Sequence, residues 1–279
     1  MKKLALTILL PVLLLVAGCG GSDDETTATA ASCKPGDLPT RESGVLTVAT
    51  DKPAYPPYFE DNDPTNGEGF ESAVAYAIAD QLGYPKAKVE WTVESFNSSY
   101  APGPKDFDFD LNQISISPVR EKAVDFSSPY YTANQAVVAL KGSDAATAKS
   151  LTDLQETKIG VQIGTTSLDA VEEEIDPSEQ PEVFNNSNDV VTALKNGQID
   201  AVVVDLPTAL YLTAVQVPEA TVTGQFSAPG GDQWGALLEK DSPLTPCVSE
   251  AVDALRESGE LQRLTKRWMS QAAGAPELR

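Results

Sequence analysis

The chain has 279 residues, which allows one large domain or two modest ones that each bury a core. Hydrophobic residues make up 41% and charged residues 22%, and these proportions favour a globular protein. A formal net charge of -21 should repel phosphate backbones, so we expect no nucleic-acid partner. The sequence contains no histidine, which excludes Ser-His-Asp catalysis and histidine-ligated metals, and we expect no metal or cofactor.

Residues 1–18 have the features of a secretory signal peptide, because two lysines precede an apolar run over residues 4–17. The run is shorter than the roughly 20 residues of a bilayer-spanning helix. It ends in Val16-Ala17-Gly18-Cys19, which resembles the lipobox of bacterial lipoproteins. An ordinary signal peptide with a chance cysteine is the alternative. We predict lipidation of Cys19, a flexible polar tether over residues 19–40, and an extracytoplasmic protein held at the cell membrane.

Three cysteines are present in the whole sequence. If Cys19 carries a lipid, Cys33 and Cys247 remain as an even pair outside the cytoplasm, where disulfides persist. We therefore predict a disulfide between them, and two separate buried thiols are the alternative.

The first half of the chain alternates strand and helix patterns. The β-branched run Gly44–Thr50 predicts a strand, Gly69–Leu82 an amphipathic helix, and Val89–Val93 a second strand. Phe107–Ile116 alternates apolar residues with Asp106, Asp108 and Asp110. We interpret these acids as the solvent-facing side of a strand rather than as a metal cluster.

The second half continues the alternation. Lys158–Ile163 predicts a strand, and Thr166 with Asp169 predicts a capping box at the start of the next helix. The remaining predictions are a helix over Ser187–Asn196, a buried strand over Ile199–Val204, and a helical region over Pro246–Met269. Alternating strands and helices indicate an α/β fold.

In α/β sheets, ligands bind beyond the carboxyl ends of the strands, and polar residues collect there in this sequence. An arginine can bind a carboxylate, a helix N-terminus can assist it, and an aspartate can accept from an ammonium group. This inventory suits a zwitterion. The residues at the predicted strand ends are Asp51, Tyr55, Gln113, Ser115, Arg120, Gly164, Thr165, Thr166, Ser167 and Asp205.

Five stretches carry a family resemblance: LTVATDKPAYPPY (46–58), GFESAVAYAIADQLG (69–83), QISISPVREKAVDFSSPYY (113–131), KIGVQIGTTS (158–167) and NGQIDAVVVDLP (196–207). Together they resemble the type II, family 3 solute-binding proteins of amino-acid ABC transporters, over about residues 41–270. The third and fourth stretches together are the most specific.

The resemblance implies a role for each candidate residue, and plainer interpretations stand beside them. Arg120 would otherwise be a surface charge, Asp205 a helix cap, and Tyr55 and Phe96 parts of a core. The resemblance implies that Arg120 clamps the ligand α-carboxylate, that Ser115 and the backbone at Gln113 assist, and that Gly164, Thr165 and Thr166 contact the same carboxylate from the second lobe. It implies that Asp205 binds the α-ammonium group. It further implies that Tyr55 and Phe96 sandwich the ligand side chain and that Asp51 faces the far end of that side chain.

The resemblance also implies an architecture and a partner. Two α/β lobes are expected, with residues 41–132 and 228–279 in the first and 133–227 in the second. Hinge segments near 131–135 and 225–230 would close them on a ligand. The protein would be monomeric and would deliver an amino acid with a polar or cationic side chain to an ABC permease. A ligand-presenting sensor module and a dehydratase-like enzyme, with Asp51 or Asp205 as general acid, are the alternatives. The stretch 97–112, with two prolines, departs from the family pattern and weakens the alignment at Phe96.

Overall fold

A computed structural model describes residues 33–34, 36–228, 230–269 and 275–279. The predicted signal peptide, the lipidation of Cys19 and most of the predicted tether lie outside the described residues. Within them, no helix is both long and apolar enough to cross a bilayer.

The described chain forms ten strands and seven α-helices. The strands are β1 (Leu46–Thr50), β2 (Val89–Val93), β3 (Phe109–Asp110), β4 (Val124–Ala133), β5 (Gln135–Leu140), β6 (Ile159–Gln162), β7 (Glu182–Phe184), β8 (Ala201–Asp205), β9 (Ala220–Phe226) and β10 (Asp232–Glu239). The helices are α1 (Phe70–Gln81), α2 (Phe96–Ser99), α3 (Thr166–Ala170), α4 (Ser187–Lys195), α5 (Leu206–Tyr211), α6 (Thr245–Glu257) and α7 (Glu260–Trp268).

The strands form two five-stranded sheets, ordered β2-β1-β3-β10-β4 and β7-β6-β8-β5-β9. In each sheet a parallel part built from β-α-β connections is joined to antiparallel strands. Helices α1, α6 and α7 pack their apolar residues on the first sheet, where Phe70, Val248 and Leu261 contribute to one large core. The predicted two-lobe α/β fold is confirmed, and β2 has the predicted bounds.

The alternating acidic segment was interpreted wrongly. Asp106 is exposed, but Asp108 and Asp110 are buried. The carboxylate of Asp108 accepts hydrogen bonds from the backbone N–H groups of Arg41 and Thr47, at 2.8 and 2.7 Å, which keeps the segment against β1. The regular strand is only two residues long. Asp110 is buried because it lies in the middle of the sheet, between β1 and β10. The described residues contain no group of acidic or cysteine side chains arranged to hold a metal ion.

Two helix predictions also need correction. Thr165, rather than Thr166 with Asp169, caps α3, because its hydroxyl accepts from the backbone N–H of Leu168 at 3.3 Å. The predicted helical region Pro246–Met269 is two helices. Gly259 separates α6 from α7 with a φ of 77°, a left-handed conformation that glycine adopts without steric cost.

The chain passes between the two sheets at Asn134, which joins β4 to β5, and again between Phe226, which ends β9, and Asp232, which begins β10. The C-terminal residues return to the second sheet. Glu277 pairs with Gln225 of β9, and Leu278 packs in a core of the second lobe. The expectation that all of residues 228–279 belong to the first lobe is therefore wrong for this tail.

The predicted disulfide is present. Cys33 and Cys247 are bonded, with their Cα atoms 5.2 Å apart. Cys247 lies in α6, and Cys33 packs against the same core, so the bond fastens the beginning of the described chain to the first lobe.

Candidate ligand-binding site

A cavity of about 500 Å³ lies between the two lobes. The carboxyl ends of β1 and β8 and the first residues of α3 meet at its wall, as expected for sheets whose parallel strands point toward a common cleft. Nine of the ten residues with an implied role line it: Asp51, Tyr55, Phe96, Gln113, Ser115, Arg120, Thr165, Thr166 and Asp205. Ser167, also at a predicted strand end, lines it as well.

Arg120 is the buried cation of the cavity wall and is only 7% exposed. Its guanidinium donates to the backbone carbonyls of Ser115, at 2.6 Å, and of Gly164, at 2.9 Å. The rings of Tyr100 and Phe96 cover it, with centroids 4.9 and 5.5 Å from the central carbon. A guanidinium remains protonated in proteins, so a buried positive charge faces the cavity. The interpretation of Arg120 as a plain surface charge is excluded.

Gly164, the tenth predicted residue, lies beside the cavity rather than on its wall. Its carbonyl accepts the hydrogen bond from Arg120, and its φ of 73° is in the left-handed region. Because Gly164 follows β6 in the second lobe and Arg120 belongs to the first, this hydrogen bond joins the lobes.

The start of α3 brings two threonines to the cavity. The hydroxyl of Thr165 donates to the carbonyl of Gln162 at 2.8 Å and caps the helix. The hydroxyl of Thr166 donates to Asp232 at 3.0 Å and lies 3.3 Å from the hydroxyl of Ser115. Thr166 therefore connects α3 with the first lobe.

Asp205 ends β8 and presents its carboxyl group to the cavity. One oxygen accepts from the amide of Gln135 at 2.7 Å. Its side chain makes no capping hydrogen bond to α5, so the helix-cap interpretation does not hold. Burial, and then the neighbouring carboxylate of Asp232, raise the pKa of Asp205 well above its ordinary value.

Side chains from both lobes meet over the cavity. The hydroxyl of Tyr55 donates to Asn188 at 2.5 Å, and the hydroxyls of Tyr58 and Thr208 are 2.8 Å apart. The amide of Asn97 donates to the carbonyl of Asn185 at 3.4 Å. These contacts join residues of α2 and of the segment after β1, in the first lobe, to residues of α5 and residues in or just before α4, in the second lobe. The two lobes are therefore in a closed arrangement.

The two predicted aromatic residues have different neighbours. The ring of Tyr55 pairs with Tyr211 of the second lobe, with centroids 6.2 Å apart. The ring of Phe96 packs edge-on against Tyr100 at 5.5 Å and faces Arg120. Phe96 thus supports the guanidinium, and the sandwich on a ligand side chain stays a prediction.

Asp51 is held by backbone N–H groups, and Gln113 is held by the side chain of Glu71. The Asp51 carboxylate accepts from the N–H of Lys52 at 2.6 Å and from the N–H of Phe96 at 3.2 Å. Gln113 has a φ of 50°, and its backbone N–H donates to the buried carboxylate of Glu71 at 2.7 Å. Burial raises the pKa of Glu71 to about 7. Glu71 therefore fixes the backbone that precedes Ser115.

Sequence reasoning missed two asparagines of the cavity wall and two residues behind it. Asn185 and Asn188 follow β7, a strand of three residues whose first two are exposed, so no alternation marked it. Had β7 been recognised, the position just after its carboxyl end would have pointed to both asparagines. Gln135 and Asp232 lie at the two passages between the lobes, and only the tertiary structure brings them to Asp205.

Comparison with known proteins places the chain in a family. The family model described as bacterial extracellular solute-binding proteins, family 3, matches residues 46–271. The arginine-binding extracellular protein ArtP of Bacillus subtilis is 29% identical over 93% of this chain and 97% of its own length. The L-cystine-binding protein TcyJ of Escherichia coli K12 is 29% identical over 82% of this chain and 84% of its own.

Solved structures agree with this assignment. An ancestral arginine-binding protein bound to arginine is 32% identical, with a TM-score of 0.66, over 81% of this chain and 98% of that one. An ancestral amino acid-binding protein described as a precursor of cyclohexadienyl dehydratase is 31% identical, with a TM-score of 0.65, over 81% and 95%. With its two lobes, its interlobe cavity and a family match over most of its length, this chain belongs to the bacterial extracellular solute-binding proteins of family 3.

Proposed function

We propose that the chain binds one free amino acid in the interlobe cavity and delivers it, outside the cytoplasm, to the permease of an ABC transporter. The observation that carries this proposal is the pair of opposite charges on one cavity wall, with Arg120 from the first lobe and Asp205 from the second. An α-carboxylate and an α-ammonium group on one carbon need such a pair.

In this proposal Arg120 binds the carboxylate with charge-assisted hydrogen bonds, and Ser115, Thr165 and Thr166 assist it. Asp205 accepts from the ammonium group. The Arg120 hydrogen bond to Gly164 indicates how closure brings the second lobe to the carboxylate. Since Asp205 and the threonines reach the ligand only in the closed form, the ligand stabilises closure.

The ligand side chain is proposed to be cationic or polar. Beyond Arg120 and Asp205, the charged residues on the wall are Asp51, Asp189 and Lys52, an excess of one acid. Amide side chains line the same wall, including Asn97, Asn185 and Asn188. An acidic side chain would meet Asp51 unfavourably. Relatives named for arginine and for glutamine fit this class.

Lipidation of Cys19, monomeric state and transport are further parts of the proposal. A sensor role would use the same closed form with a receptor in place of a permease. The likeness to a precursor of a dehydratase keeps an enzymatic role as a second candidate, with Asp51 or Asp205 as general acid. Release of the unchanged amino acid after binding, measured by chromatography, separates binding from turnover.

A thermal-shift screen of the mature chain against the twenty amino acids tests the proposal, since a ligand that binds only the folded state raises its melting temperature. We expect L-arginine, L-lysine or L-glutamine to raise it selectively. The variant Asp51→Asn should weaken the binding of L-arginine more than the binding of L-glutamine. Asp106→Asn, at an exposed position, is the matched control for the same change in net charge. No shift with any amino acid would refute the proposed function.

A further inference from the structure

Five buried or half-buried polar residues form a connected network behind the cavity, at the two places where the chain passes between the lobes. Gln135 begins β5 and Asp232 begins β10. The Gln135 amide donates to Asp232 at 2.5 Å and to Asp205 at 2.7 Å, and its oxygen accepts from Ser167 at 2.6 Å. Thr166 donates to Asp232 at 3.0 Å. We name Gln135, Asp205, Asp232, Thr166 and Ser167 the crossover network.

The network fixes the Gln135 amide in one orientation. Its NH2 group serves two carboxyl groups, and its oxygen is occupied by the Ser167 hydroxyl. Two carboxyl groups, one on each side of a fully buried amide, are thereby held close together. Asp205 reaches the cavity wall, whereas Asp232 stands behind Thr166 and Gln135, so a ligand would contact the first and not the second.

The charges around this network do not balance. Among the described residues, no lysine or arginine forms an ion pair with Asp205 or Asp232, and the cation that acts on both from a distance is Arg120. With both carboxyl groups ionised, the empty site would hold two neighbouring carboxylates, and within the described residues neither has a cation in contact with it. A buried charge without a partner is costly, and a group in that position takes up a proton instead.

We propose that Asp232 is a positioning residue for the ligand ammonium, and that Asp205, held beside it, carries a proton in the empty site and releases it to solvent when the ammonium binds. The inference rests on the proposed function. The balance is simple: the carboxylic acid loses its proton, the ligand keeps its three ammonium protons, and the carboxylate pair then faces a cation. Asp232, from the first lobe, thus makes the Asp205 carboxyl group of the second lobe select for a charged amine over a neutral one.

The surroundings support this assignment. The pKa of Asp205 is raised first by burial and then by Asp232. Burial and then the carboxyl group of Asp205 raise the pKa values of Tyr58 and Tyr131 away from neutrality, that of Tyr131 to about 12. The sequence contains no histidine that could supply a proton near neutral pH. Two buried acids of the first lobe are competing sources: Asp110, whose pKa burial raises well above its ordinary value, and Glu71, whose pKa is raised to about 7 and which belongs to a separate group of hydrogen bonds with Gln113 and Tyr130.

Calorimetry of the mature chain near neutral pH, with L-arginine and L-glutamine as probes, counts the protons. Titrations in phosphate and in Tris differ in buffer ionisation enthalpy, and the difference gives the number of protons released. We expect up to about one proton for the wild-type chain, and an affinity that falls up to about tenfold for each pH unit of acidification, since binding expels a proton. Asp232→Asn should release less than about a third of that number, with a flatter pH profile.

Two variants make the result specific. Asp169→Asn also removes a carboxylate that acts on Arg120, but Asp169 is not part of the crossover network, so the proton count should stay at the wild-type value. Glu71→Gln should likewise keep the count. A wild-type count of zero, a count unchanged in Asp232→Asn, or a count lost in Glu71→Gln would overturn the inference and leave amino-acid binding intact. If neither probe binds the wild-type chain, the proposed function fails and the inference fails with it.

Discussion

The two lobes share a sheet architecture but differ in their cores. The first lobe has a large core on one face of its sheet, in which aromatic rings such as Phe59, Phe70 and Trp234 pack together and to which the disulfide is attached, and a smaller core on the other face. The second lobe has two smaller cores on either side of its sheet, built mainly from valine, alanine and leucine. Larger rings bury more apolar surface for each residue, so the first lobe should be the more stable support.

The lobes also differ in charge at the cavity. The first presents a buried arginine, and the second presents a buried carboxyl group. In an empty closed site, within the described residues, the arginine has no carboxylate in salt-bridge contact and the carboxyl group has no cation in such contact. Closure around a zwitterion therefore supplies a carboxylate to the arginine and an ammonium group to the carboxyl group at once, whereas closure without a ligand supplies neither.

The largest expected effect comes from removing the charge of the first lobe. Arg120→Ala should weaken amino-acid binding by about 2–5 kcal/mol, because it leaves the ligand carboxylate buried without its partner. Calorimetry with the amino acid selected by thermal shift measures this. Arg263→Ala, at an exposed position in α7, is the control and should bind normally. Equal affinity of Arg120→Ala and the wild-type chain would remove Arg120 from the site.

The next effect separates stability from binding. Replacing both cysteines, Cys33→Ala with Cys247→Ala, should lower the free energy of unfolding by about 2–4 kcal/mol, since the bond closes a long loop in the unfolded chain. Cys247 lies in α6, away from the cavity wall, so affinity should change little. Urea unfolding and calorimetry on the same variant test both parts. A large loss of affinity with unchanged stability would contradict this division.

The sequence predicted the lobes through local patterns, because the buried residues of α1 recur at helical spacing and those of β8 form a continuous apolar run. The strand-end rule then found nine of the cavity residues. The alternation pattern failed for Asp110, whose burial follows from its central position in the sheet. The strand-end rule missed Asp232, whose partner Gln135 lies about a hundred residues away along the chain. Contacts between distant segments leave no local pattern, so the crossover network could be identified only in the folded structure.

A third prediction concerns the support beneath the first lobe's half of the site. Folded Glu71 holds its proton up to about pH 7, whereas the ordinary pKa is 4.5. Its contribution to stability is therefore complete below 4.5 and is lost as the pH rises to about 7, a change of at most about 3 kcal/mol. Glu71→Gln should flatten the pH dependence of urea unfolding over this range. A dependence as steep as that of the wild-type chain would mean that the other buried acids cause it.

The smallest predicted effect tests contact between the lobes. A Cβ atom at Gly164, in the second lobe, would overlap the hydroxyl oxygen of Tyr100, in the first. Gly164→Ala should therefore oppose closure and weaken binding about tenfold, or about 1.4 kcal/mol. The left-handed φ of 73° adds strain in open and closed forms alike, which lowers the melting temperature but not the affinity.

The two contributions can be separated with a second substitution. Tyr100→Phe removes the overlapping oxygen, so the double variant Gly164→Ala with Tyr100→Phe should recover most of the affinity while its melting temperature stays low. Tyr100→Phe alone keeps the ring that covers Arg120 and is the matched control. If the double variant binds as weakly as Gly164→Ala, the loss arises within the second lobe, and the closed arrangement does not depend on this contact. Recovery would show that affinity depends on how closely the two lobes approach, since neither substitution removes a charge from the cavity.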